Sequence, residues 1–197
     1  MKHEITSLNT KKMLAFCLKK AMENKPFSKV TVSEIIADCG VNRKTFYYHF
    51  DDIYALLKWM LEQEAIEVVK QMDLIDDHGE AILFVMDYID ENENILKNIY
   101  HSLGRDELSR FFHADFIDVC RSTIEKAAQA EHITVSQDFK DFLSRFYTGA
   151  IADILLEWIV NKSIQDKEKN IQYISLILRS SIINALKEAQ EKGFIPV

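Results

Sequence analysis

The sequence predicts an all-α protein, a three-helix head built around a helix-turn-helix and followed by a larger helical body. Three observations lead there. Five glycines and two prolines in 197 residues leave room for few turns and favour long elements. Apolar residues recur at three- and four-residue spacing along most of the chain, the period of a helix face. One stretch, Thr31 to Phe50, places a capped helix, a glycine turn and a second capped helix end to end. A chain of this length can bury a real core in one large or two small domains.

The first helix shows its inner face in Leu14, Cys17, Leu18, Ala21 and Met22, and Asn24-Lys25-Pro26 ends it. Phe27 and Val30 tuck the following turn onto the core. Thr31 and Glu34 have the spacing of a capping box, so the next helix starts at about Val32. Ile35 and Ile36 give it an apolar side. Cys39-Gly40 closes it, because glycine accepts the left-handed conformation of a helix C-terminus. Val41 points inward and Asn42 caps a second short helix. On that helix Phe46 and Phe50, four apart, share the face that packs on its predecessor. Arg43, Lys44, Thr45, Tyr47, Tyr48 and His49 remain for the other faces. Two cations, three hydroxyls and an imidazole are groups suited to phosphates and base edges.

After Asp51-Asp52, a long helix carrying Ile53, Leu56, Leu57, Met60 and Leu61 links head to body, so its tilt can transmit a signal. The division is thus a helix-turn-helix head at 1–51, with groups suited to DNA, and a larger helical body at 52–197. Asp76-Asp77-His78-Gly79 reads as a loop. Helices are expected at about 80–90, 93–103, 106–130, 136–161 and 167–191. The last two carry apolar bands wider than one buried face requires. Phe142, Phe146, Ile154 and Trp158 belong to one; Ile174, Leu176, Ile177 and Ile182 belong to the other. Part of each band is expected to face the core and part a second subunit, giving a homodimer through the last two helices across a two-fold axis.

Charge divides the chain in the same place. The protein has 24 basic and 31 acidic residues, yet residues 1–50 hold nine basic and four acidic, leaving 15 and 27 for the rest. A basic head on an acidic body is the asymmetry of a nucleic-acid-reading module. Cys17, Cys39 and Cys120 are odd in number, widely spaced and without zinc-finger or CxxC spacing, which suggests reduced cysteines acting as small apolar residues. With no apolar leader and no membrane-length apolar run, the expectation is a cytoplasmic protein without membrane contact. His101, His113 and Cys120 match no local metal-ligand motif, so neither metal nor cofactor is expected. The absence of G-x-S-x-G, HExxH, P-loop and Rossmann glycine patterns argues against an enzyme.

GVNRKTFYYHFDDIYALL resembles the helix-turn-helix and the start of the fourth helix of the tetracycline-repressor (TetR) family of regulators, with Thr-Phe-Tyr-Tyr-His-Phe its most specific part. The motif covers about residues 10–60; beyond it the likeness is one of length and helical character. Within the family, CGVNRKTFYYHF followed by DIY is most similar to regulators related to the activator of dihydroxyacetone-kinase operons. The resemblance implies that Arg43, Lys44 and Thr45 lie near base edges, that Tyr47, Tyr48 and His49 reach phosphates or the groove wall, and that Thr31 and Ser33 meet the DNA backbone. One departure is Asp51-Asp52, where many members carry a lysine. Acids suit a helix N-terminus but repel phosphate.

The middle of the chain is rich in aromatics interrupted by polar residues, the make-up of a small-molecule pocket. The resemblance places such a pocket in the C-terminal domain, and His101, Phe112, Phe116 and Tyr147 are its candidate residues. The expected function is a homodimeric regulator that binds double-stranded DNA at a palindromic operator and responds to an effector, small molecule or protein partner. The rival is a protein-interaction co-regulator with weak or no DNA binding, for which Asp51-Asp52 is the main support.

Overall fold

The computed structural model describes residues 2–72, 78–161 and 166–195. Among them all regular structure is helical: α1 (Lys2–Asn24), α2 (Val32–Cys39), α3 (Arg43–His49), α4 (Ile53–Leu61), α5 (Glu67–Lys70), α6 (His78–Glu91), α7 (Glu93–Leu103), α8 (Arg105–Ala130), α9 (Gln137–Asn161) and α10 (Lys167–Glu191). A 3-10 turn at Phe27–Lys29 follows α1, and a π-helical turn at Glu62–Ile66 joins α4 to α5.

The head folds as its local chemistry dictates. Thr31 Oγ1 accepts from the Glu34 amide at 3.3 Å while the Glu34 carboxylate accepts from the Thr31 amide at 3.0 Å, a complete capping box. Gly40 closes α2 at φ +66°. Asn42 Oδ1 accepts from the Thr45 amide at 2.8 Å and starts α3; Asp52 Oδ1 does the same for α4 through Ala55, also at 2.8 Å. Each such cap stabilises its helix by about 1 kcal/mol. Leu14 and Leu18 of α1, Ile35 of α2 and Phe46 of α3 meet in the interior of the three-helix unit, all buried.

The π turn has a reason in the sequence. Leu57, Leu61, Ala65 and Val69 recur every four residues and are all buried. A four-residue repeat drifts about 40° per step around an ideal helix. The wider turn at Glu62–Ile66 offsets part of that drift and keeps the row against the body. One continuous α-helix was the expectation here, and the π turn corrects it.

In the body, α8 and α9 form a long hairpin, α10 lies against α6 and α8, and α7 packs on α8 and α9 and back onto α1. Buried side chains from Leu14 in the head to Trp158 in α9 form one continuous cluster; a second, around Ile124, Leu143 and Leu186, fills the far end of α8, α9 and α10. No helix among the described residues is long and apolar enough to cross a membrane.

Two further expectations change. Of the loop expected at Asp76-Asp77-His78-Gly79, the two acids lie outside the described residues, while His78 and Gly79 open α6. Glycine in a first turn is no stop signal, since the amides there lack intrahelical acceptors in any case. Cys17 and Cys39 are not independent apolar residues: they stand side by side between α1 and the end of α2, with Cα atoms 6.3 Å apart. The packing of α2 on α1 brings together cysteines 22 residues apart, a proximity that no local spacing signals. Cys120 is free and buried.

Candidate nucleic-acid interface and body cavity

Helix α3 buries Phe46 completely and turns Lys44, Tyr47 and Tyr48 outward. Tyr47 is 46 % exposed and Tyr48 70 %, high values for aromatic rings. Arg43 is pre-positioned. Its guanidinium donates to Ser33 Oγ and to the Tyr47 hydroxyl, both at 3.4 Å, and lies 5.5 Å from the Tyr47 ring centroid. Ser33, Arg43 and Tyr47 therefore form one connected edge across α2 and α3. Lys44 has no ion pair among the described residues, so its charge is available to an anion.

The other candidates are partly committed. Thr31 donates its hydroxyl to Glu34 at 2.9 Å within the capping box, and Thr45 donates its own to Asn42 Oδ1 at 3.1 Å. His49 is half-buried, with Nδ1 3.5 Å from Ser7 Oγ. Burial first, and then the nearby Lys11 charge, push the imidazole pKa down, which favours its neutral form. Lys11 was not anticipated; its ammonium stands 5.5 Å from the Phe50 ring centroid and 5.7 Å from that of Trp59, beside the recognition helix. Asp52 is spent on its cap, which leaves Asp51 as the free acid of the pair.

The head is fastened to the body by side chains that sequence patterns did not single out. The Asn98 amide, on α7, accepts from the Phe27 amide at 2.7 Å and donates to the Met22 carbonyl at 2.9 Å and the Lys25 carbonyl at 2.7 Å. One side chain thus ties off the end of α1 and the turn after it. On the other side, Glu64 of the π turn accepts from Lys19 of α1 at 2.7 Å and from the Tyr88 hydroxyl of α6 at 2.8 Å. Burial and the Glu64 charge drive the Tyr88 pKa far up, so its proton stays in place.

Asp115 lies between α8 and the linking helix. It is buried, its Oδ1 is 3.8 Å from Lys58 Nζ, and its Oδ2 has no hydrogen-bond partner. Burial raises its pKa more than Lys58 lowers it. A carboxyl whose pKa is raised by folding favours the fold below its ordinary value and loses that contribution as pH rises through the folded value. Asp115→Asn should therefore raise Tm at pH 7.5 by about 2–4 °C. In a calorimetric pH series, the gain should vanish as pH falls towards 4.

Between α6, α8, α9 and α10 lies a cavity of about 300 Å³. Val85, Phe116, Ile151, Leu178 and Ile182 are among its mostly apolar walls. Polar groups are few: Cys120, Thr123, Tyr147 and Arg179. The Tyr147 hydroxyl is already bonded to Ser181 Oγ at 2.7 Å. Of the four candidate ligand residues, Phe116 and Tyr147 line this cavity. Phe112 lines only a neighbouring space of about 20 Å³. His101 is exposed on α7 and lines neither: it follows the aromatics in sequence, but its helix turns it to solvent.

Residues 19–60 match the family described as bacterial regulatory proteins, tetR family, and residues 76–190 match the one described as transcriptional regulator C-terminal region. The chain is 25 % identical over 174 residues to the HTH-type dhaKLM operon transcriptional activator DhaS of Lactococcus lactis subsp. lactis (strain IL1403), covering 87 % of this chain and 90 % of that protein. The solved structure of a dihydroxyacetone kinase operon activator DhaS superposes with a TM-score of 0.67 at 22 % identity, covering 92 % of this chain and 98 % of that one. NalD, the secondary repressor of the MexAB-OprM multidrug efflux pump in Pseudomonas aeruginosa, superposes with a TM-score of 0.51 at 15 % identity, covering 96 % and 98 %. At these identities the two structures speak for the fold.

Proposed function

Because the chain belongs to the tetR family of bacterial regulatory proteins, whose members regulate transcription and are not enzymes, we propose that it acts as a homodimer on a palindromic operator and that an effector in the body cavity sets its affinity. The observation that carries this reading is the outward face of α3: an unpaired lysine, a positioned arginine and two exposed tyrosines on the basic end of an acidic chain. In this reading residues 1–51 are the DNA-binding domain. Arg43, Lys44 and Thr45 approach base edges, and Tyr47, Tyr48 and His49 reach phosphate or the groove wall. Ser33 and the start of α2 at Thr31 meet the backbone, where helix amides favour phosphate. The site of action is the cytoplasm, where the DNA is.

The dimer surface is proposed on the outer side of α9 and α10. Phe142 and Phe146 on one helix and Tyr173, Leu176 and Ile177 on the other are exposed in the single chain. Exposed large apolar side chains in this number point to a contact surface. The buried partners of the same bands, Leu155, Trp158, Ile182 and Leu186, face the core. Residues 52–197 then form the ligand-binding and dimerisation domain. Pairing sets the distance between two heads, which must match half-sites one duplex turn apart. An effector that prefers a different spacing weakens operator binding, and the operator weakens effector binding by the same factor. The cavity has too few polar groups to hold a small polyhydroxylated compound; its walls suit a largely hydrocarbon effector.

The test is a band-shift titration with Lys44→Ala and Tyr47→Ala. Each should weaken operator binding about tenfold, as expected for loss of one contact worth 1–3 kcal/mol, while the circular dichroism spectrum and the oligomeric state stay the same. Lys44→Ala should also lower the salt slope by about one. Unchanged affinity in both variants favours the second reading, a co-regulator with weak DNA affinity, which the exposed Asp51 beside the recognition helix supports.

A further inference from the structure

The body of this protein is acid-rich, and its cations are almost all spoken for. Lys70 pairs with Glu62 and Glu67, Arg105 with Asp153, Arg121 with Asp118, Lys140 with Glu125, and Lys167 with Asp87 and Asp90. Arg179, like Lys126 and Arg145, stands outside that pattern. It has no ion pair among the described residues, and it is the one charged side chain on the wall of the 300 Å³ cavity. Among the described residues, no carboxylate lines the cavity to oppose it. It stands exposed on α10, near the mouth. The Thr123 hydroxyl of α8, also on the wall, already donates to the Val119 carbonyl at 2.9 Å, and most of the remaining lining is hydrocarbon, with Ile124, Ile151 and Ile182 among it.

An unpaired guanidinium at the rim of an apolar chamber matches one kind of molecule. We infer that the cavity takes an anionic amphiphile, a hydrocarbon body with a single negative head group that Arg179 receives at the mouth. The inference rests on the reading of this cavity as the effector site and adds the chemical class of the effector. A planar guanidinium pairs with a carboxylate or a phosphate through two parallel hydrogen bonds. The hydrocarbon part supplies affinity by leaving water, at about fourfold per buried methylene. A neutral alcohol of the same length gains only the second contribution. An amine gains that and meets repulsion.

Isothermal titration calorimetry of the full chain at pH 7.5 tests this with hexanoate, octanoate, decanoate, decyl phosphate, 1-decanol and decylamine, all below their aggregation concentrations. Affinity should rise about fifteenfold for each two methylenes until the chamber is full. Decanoate or decyl phosphate should bind about tenfold more tightly than 1-decanol, the scale of a charge-assisted hydrogen bond; whichever is tighter identifies the head group as carboxylate or phosphate. Arg179→Gln, at an exposed position that leaves the fold intact, should bring the anion down to the affinity of the alcohol and leave the alcohol unchanged. Arg179→Lys should keep most of the preference. If 1-decanol equals the anions, or Arg179→Gln leaves the anions unaffected, the anionic class is wrong while the cavity stands as a ligand site. If none of the six binds, the inference fails and the effector reading of the cavity loses its support with it.

Discussion

Asn98→Ala is expected to lower the melting temperature by about 6–12 °C, the largest effect of any single polar substitution at the junction of head and body. The estimate starts from three hydrogen bonds of 2.7 to 2.9 Å that end on one amide group. Removing it leaves an N–H and two carbonyls at the α1 terminus without partners in a part-buried site, at a cost of about 3 kcal/mol. For a chain of this size, each kcal/mol corresponds to about 2–4 °C. Asn98→Asp separates this account from a simple packing loss. The carboxylate still accepts from the Phe27 amide, but it turns negative oxygen towards the Met22 and Lys25 carbonyls, so it should be at least as damaging as alanine despite its nearly identical shape. Differential scanning calorimetry of both variants decides the matter. An aspartate variant as stable as wild type would show that the amide is incidental. Because Asn98 holds the head against α7, operator affinity should fall in both variants while the dimer persists.

Leu176→Glu should have the largest effect on function. Leu176 is 65 % exposed in the single chain and lies beside Ile177 on the outer side of α10. If this side is the subunit contact, a two-fold axis brings each glutamate near its symmetry mate, so one substitution places two like charges in an apolar interface. Sedimentation velocity should show monomers. The two heads then bind half-sites independently, and the loss of linkage should weaken operator binding by about 10²–10⁴-fold. The fold of each chain should survive, because the position is exposed. A dimer unaffected by Leu176→Glu would move the interface elsewhere.

These two positions also mark where sequence reading succeeds and where it stops. Leu176 and Ile177 were legible, because an apolar band wider than one helix face can be counted from spacing alone. So were the capping box at Thr31 and Glu34, the glycine turn and the Asn42 cap, where partners are three or four residues apart and the local rules are strict. The outward face of α3 followed from the same local logic once Phe46 and Phe50 had fixed the inner face. Asn98 was not legible. Its partners lie 71 to 76 residues away, and an asparagine beside Ile95 and Ile99 reads as an ordinary polar position until α1 arrives. The Cys17–Cys39 pair and the Lys19–Glu64–Tyr88 bridge, across 22, 45 and 24 residues, have the same origin. His101 shows the limit from the other side: nearness to aromatics in the sequence is not nearness in space, since α7 gives its inner face to Ile95, Leu96 and Ile99 and leaves the histidine outside. Arg179 stands out only when the cavity and the pairing of the other cations are seen together.

The central claim, that the basic face of α3 reads an operator, is tested most directly by fluorescence anisotropy. Purified full-length protein is titrated against the intergenic DNA upstream of its own gene at two salt concentrations, with an unrelated duplex as control. The account predicts binding that is selective for the upstream DNA by at least about a thousandfold and that weakens steeply with salt, as released counterions require. Equal affinity for both duplexes across the titration, with little dependence on salt, would contradict it.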